Sequence, residues 1–299
     1  MEDYRIKNQP IEVRYKVVQS ENFDRQTPAV IMDGLKAASA FWSDFWKPEN
    51  QILLILGTEK DLPFWKQELD QLFDSRWHKS RSELYDNLLS SFQRFGSRTN
   101  SAGASWFANT PNMIFPYGSA LSAKDISENN WQTTPHEYTH LVQGTMSYSF
   151  NLYGMGTQWM SEGQAELVGL FLTKQSASDF AEYRSLRLRN NFQNPSVSRV
   201  ITAQQIYDAI NDGSPQLVYD AHYSFGMAAM EALVAIHGHG AILKYFEKIK
   251  SGVWWPNAFK DVFGQSHSDF LKELTPYLEN LRTHLTSNAS PSSAPSPRG

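Results

Sequence analysis

The 299-residue chain contains no cysteine. That excludes a disulfide framework and any thiolate metal site, so a bound transition metal has to be held by histidine and carboxylate. No apolar run approaches the roughly 18 residues of a membrane-spanning helix, and Met1 to Gln9 lacks the apolar core of a secretion signal. The expectation is a chain without a membrane span, cytoplasmic, or secreted if a leader has been removed. Long basic runs are also absent, and the formal net charge is −4, so neither DNA nor RNA is expected as a partner. What is present is apolar material: 41% hydrophobic and 13% aromatic residues are enough for a core in one two-lobed domain or two small ones.

Periodicity places an α+β half before a helical half. Ile11 to Val18 alternates as a strand does, Thr27 to Trp46 has helical spacing behind a Thr-Pro start, Gln51 to Gly57 reads as a buried strand, and Leu62 to Phe73 as a helix. Two β-prone runs, 104–107 and 112–115, are joined by the turn signal Asn109-Thr110-Pro111 and predict a hairpin at the edge of a small mixed sheet. From Thr134 the segments 135–148, 159–174, 178–189, 202–211, 218–237, 240–250 and 266–284 are helical. The expected divisions are 1–130 (α+β lobe), 131–285 (helical lobe) and 286–299, a disordered Ser/Pro tail.

The chemistry concentrates in His136-Glu137-Tyr138-Thr139-His140. Histidines at i and i+4 share one helical face, about 6 Å apart, so both reach a single metal ion. Glu137 points about 100° around the helix, at the flank of that ion, where a general base belongs. A third ligand is offered by Glu162, in the segment Trp159-Met160-Ser161-Glu162-Gly163-Gln164-Ala165-Glu166, 22 positions after His140. Two His and one Glu, with the fourth position left to water, make a catalytic zinc site. Glu166, one turn further on, is placed to orient a ligand imidazole through its second ring nitrogen.

Some of these residues carry a plainer reading as well. Thr134-Pro135-His136-Glu137 fits a T-x-x-E capping box, which would fold Glu137 back onto its own helix start. Near the start of an apolar helix stand His222 and Tyr223, two neutral donors suited to binding an oxyanion, Tyr223 being the first choice and His222 the alternative. His237 and His239 fit a helix C-cap and loop better than a second metal site.

Taken together, HEYTH at 136–140, W-x-x-E-G-x-A-E at 159–166 and Y-x-x-G at 223–226 resemble the gluzincin metallopeptidases, the zincin branch that includes thermolysin and the aminopeptidase N group, and most of all its bacterial peptidase MA-like members. The resemblance spans roughly residues 90 to 285. It implies a two-lobed zincin catalytic domain and one Zn²⁺ on His136, His140 and Glu162. It also implies Glu137 as base, Tyr223 as oxyanion donor, and a peptide or protein substrate. Two features depart from the pattern: a longer loop around Tyr153 to Gln158, and Gly103 to Asn109 (GASWFAN) where those aminopeptidases carry a glutamate that anchors the substrate amine. Three readings follow: a zinc peptidase, an aminopeptidase, and a non-catalytic zinc-containing domain that binds peptides through aromatics such as Trp106, Phe107, Phe115 and Trp159.

Overall fold

The run Ile52–Gly57 is apolar at every position, which suits a strand covered on both faces. In the computed structural model it is β2, an inner strand of a four-stranded mixed sheet. The structure describes residues 12–23, 26–71, 81–107, 110–122, 124, 132–146, 156–173, 176–211 and 214–287. Of the proposed Ser/Pro tail, 286 and 287 still belong to the last helix and 288–299 lie outside the described residues, as do 153–155 of the Tyr153 to Gln158 loop.

The sheet order is β1-β2-β4-β3. Strand β1 (Tyr15–Gln19) runs parallel to β2 with Val17 opposite Leu54, and β2 runs parallel to β4 (Thr110–Pro116) with Ile55 opposite Ile114. Strand β3 (Gly103–Phe107) is antiparallel to β4, with Ala104 opposite Met113. The predicted antiparallel pair is therefore present at an edge, but Thr110 and Pro111, expected in the turn, belong to strand β4, and 108–109 lie outside the described residues. Parallel neighbours require crossovers: α1 (Thr27–Phe41) links β1 to β2, while α2 (Leu62–Gln71) and α3 (Arg81–Phe95) follow β2. Ile55 packs with Trp65, Leu69, Leu88 and Phe92, so α2 and α3 cover one face of the sheet. Asp61 fastens the loops after β1 and β2 together, accepting from Ser20 Oγ (2.6 Å), Asn22 Nδ2 (2.5 Å) and the Thr58 amide (2.9 Å).

Helix α1 stops at Phe41, five residues short of the periodic stretch that reaches Trp46. Tertiary packing overrides the pattern there: Trp42 is buried and its indole N–H donates to Thr139 Oγ1 at 3.1 Å. Thr139 lies on α4 (Thr133–Met146), which packs against α1, β3 and β4. Contacts divide the chain into two compact units, 1–152 with 171–173 and 153–170 with 174–299. Helix α4 thus groups with the sheet instead of with the helices that follow it.

The second unit is helical among its described residues: α5 (Gln158–Thr173, its last turn counted with the first unit), α6 (Ala177–Gln193), α7 (Ala203–Ile210), α8 (Ala221–His237), α9 (His239–Lys250), α10 (Trp255–Phe263) and α11 (His267–Ser287). Helix α8 is apolar on nearly all sides, with Phe225, Met227, Ala229, Met230 and Leu233 all buried, and it touches α6, α7, α9 and α11. Gly238, at φ +79°, ends it, as the C-cap reading expects, while His239, expected in a loop, opens α9. Trp159 on α5 stacks on His267 (5.7 Å) and Phe270 (6.0 Å), and its indole donates to His267 Nε2 at 2.7 Å. Trp159 and Phe115 are both fully buried, so neither lines a binding cleft.

Candidate metal centre

Pro135 lacks an amide hydrogen and is tolerated in the first helical turn, where amide donors have no intrahelical acceptor. Helix α4 uses it there. The helix begins at Thr133, and the His136 amide donates to the Gln132 carbonyl at 3.0 Å. Thr134 is accordingly the second helical residue and Glu137 the fifth, two positions past the third residue that a capping box uses. The capping reading of Glu137 is corrected by this register.

On the buried side of α4, His136 and His140 stand one above the other, Nε2 to Nε2 at 3.0 Å, with ring planes at 81°. His140 Nδ1 meets Gln143 Oε1 at 2.8 Å. An amide oxygen only accepts, so Nδ1 carries the proton and Nε2 keeps its lone pair, the tautomer a metal requires. Gln143 is almost completely buried and lies three residues on, where a helix brings its side chain beside His140.

Glu137 is buried to the same degree as the two histidines, each 7% exposed. Its charge is felt by Tyr117, which follows β4: burial first, and then the Glu137 carboxylate, push the Tyr117 hydroxyl far above its ordinary value, against a hydrogen bond with Thr133. Tyr117 therefore keeps its proton next to the proposed base.

Glu162 lies on α5 and is buried. The coordinating atoms of His136, His140 and Glu162 all lie within 4.8 Å of one another. A tetrahedral ion with bonds of about 2.0–2.1 Å separates its ligand atoms by about 3.3 Å. The pair of Nε2 atoms is slightly inside that spacing and the 4.8 Å bound on the full set is about 1.5 Å beyond it, so the residues fit an ion once their side chains draw together. Their donor set, two imidazoles and one carboxylate, suits zinc.

The other predicted residues, Glu166, Tyr223 and His222, lie on α5 and α8. Glu166 is buried and accepts from Arg187 Nε at 2.8 Å, a pairing in which the Glu166 charge pushes the guanidinium higher still. Tyr223 is half-buried near the start of α8, its hydroxyl 3.2 Å from that of Tyr219. His222 is fully buried; burial lowers its pKa to about 4, with the Glu162 charge acting the other way.

No family model, curated protein or solved structure matches this chain. The metal centre thus rests on its own residues. Gln143, Tyr117 and Arg187 were not legible as site residues, although Gln143 carried a signal in its i+3 spacing from His140.

The Gln143 contact has a measurable consequence. Gln143→Leu is expected to weaken zinc binding about 10- to 100-fold, read by competition with a chromophoric chelator, with helical content unchanged. Zinc affinity equal to wild type would show that the tautomer of His140 is set elsewhere.

Proposed function

We propose that this chain is a zinc-dependent metallopeptidase with a two-lobed zincin architecture. The observation that carries the reading is the buried convergence of His136, His140 and Glu162, with Glu137 directly after the first histidine on the same helix. His136 and His140 would hold the ion through Nε2 and Glu162 through a carboxylate oxygen. When bound, zinc supplies Lewis acidity, acidifying water and polarising a peptide carbonyl.

The chain's own groups then divide the proton work. Glu137 takes a proton from the attacking water onto a carboxylate oxygen as the new C–O bond forms, and returns it to the amine nitrogen as the C–N bond breaks. Of the two oxyanion candidates, Tyr223 is supported over His222, because a half-buried hydroxyl reaches a substrate and a fully buried imidazole does not. Substrate backbone would add to the outer side of β3, which no strand pairs among the described residues.

A non-catalytic peptide-binding role gains little support, since Phe115 and Trp159 are core residues. The deciding experiment is metal analysis of the purified chain combined with digestion of a peptide library, with and without chelator. One zinc per chain is expected, with cleavage that chelator abolishes and zinc restores. Stoichiometric zinc without cleavage of any peptide would leave a binding domain, and absence of zinc uptake would remove the metal reading altogether. Comparing peptides with blocked and free N-termini separates an endopeptidase from an aminopeptidase.

A further inference from the structure

Helices α5 and α8 touch backbone to backbone. A Cβ built on Gly163 would lie 2.3 Å from the carbonyl oxygen of Gly226, and one built on Gly226 would lie 3.1 Å from Trp159 Cβ and from its carbonyl oxygen. Glycine at 163 is what permits this approach, and at 226 a Cβ would be tighter than an ordinary contact. Glu162 directly precedes Gly163, and His222 stands one turn before Gly226, on the face of α8 that meets α5. The crossing thereby sets a fully buried imidazole against the helix that carries the third proposed metal ligand.

That imidazole is otherwise unaccounted for. His222 has no exposed surface, and neither ring nitrogen has a hydrogen-bond partner among the described residues. A buried donor without an acceptor is costly, and native structures keep one where it has work to do. The charge that His222 feels is that of Glu162.

We propose that His222 is a positioning residue for Glu162, its ring N–H donating to the carboxylate oxygen that Glu162 does not give to the metal. The inference rests on the metal reading. A neutral imidazole suits this role, because it fixes the carboxylate in a one-oxygen binding mode without cancelling the negative charge that holds the ion. It removes His222 from the oxyanion role and leaves that role to Tyr223. Burial keeps the ring away from substrate, so its effect reaches the reaction only through Glu162.

The test uses the full chain. His222→Phe preserves bulk and removes the donor, while His222→Gln restores one. Zinc affinity by chelator competition is expected to fall about 10- to 100-fold in His222→Phe and to recover in large part in His222→Gln, and the cobalt(II) absorption spectrum should shift in the first variant and return towards wild type in the second. Wild-type affinity and spectrum in His222→Phe would overturn the proposal while leaving the metal site standing; a wild-type chain that takes up no zinc would overturn both. If His222→Phe fails to fold, proton NMR of the wild type decides. Zinc addition should bring out a slowly exchanging imidazole N–H assigned to His222, and a ring proton that still exchanges rapidly with the solvent refutes the hydrogen bond.

Discussion

Glu137→Gln is expected to lower peptide cleavage about 10²- to 10⁴-fold, the usual share of a positioned general base, while zinc content and melting temperature stay near wild type. The substitution keeps size and shape in a nearly solvent-free place and removes only the ability to accept a proton. Neither the Gln143 contact of His140 nor the Nε2 pair involves residue 137. The Tyr117 hydroxyl would lose the upward push of the Glu137 charge, yet burial, the larger cause, keeps it protonated. Single-turnover hydrolysis by zinc-loaded protein is the proper measurement. A variant that retains zinc and cleaves at the wild-type rate would dismiss Glu137 as the base.

Gly163→Ala is expected to cost about 3 kcal/mol of folding stability, the upper range for forcing a carbon into a filled space. The obstacle is a backbone carbonyl at 2.3 Å and its carbon at 2.5 Å, and backbone atoms cannot swing aside as a flexible side chain does. The helices must part, and Glu162, one residue away, moves with them; zinc affinity should therefore fall alongside stability. For a unit of this size the melting temperature would drop by roughly 6–12 °C. Gly103→Ala serves as the control: its Cβ would meet Ile114 Cγ1 at an ordinary 3.6 Å, and little change is expected. If Gly163→Ala melts as wild type does, the close crossing of α5 and α8 is not there.

These glycines illustrate where sequence reading stops. HEYTH and Glu162 are visible in a single sequence because the chemistry dictates residue type and helical spacing together. A lone glycine within a helix announces nothing about its partner on another helix, so neither the crossing nor the setting of His222 could be foreseen. The strands at 15–19, 52–57 and 103–116 follow from apolar runs and turn residues, but their order does not, since pairing depends on contacts distant in sequence. Helix α3 escapes periodicity because Asp86, Asn87, Ser90 and Ser91 dilute its apolar stripe. Helix α10 escapes because Gly252 and Pro256 punctuate its approach as a loop would. Glu166 shows a different gap: its spacing from Glu162 suggests service to a histidine, but gives no hint of Arg187, 21 residues away, which donates to it at 2.8 Å.

The two imidazoles of α4 already stand 3.0 Å apart, so the freedom of both side chains is lost during folding and is not lost again when an ion arrives. On the proposed reading, an ion that binds the native chain and not the unfolded one adds to stability by mass action. Fold lifetime then becomes a gauge of metal supply: the chain would persist where zinc is plentiful and be cleared sooner where it is scarce, with no separate sensor required.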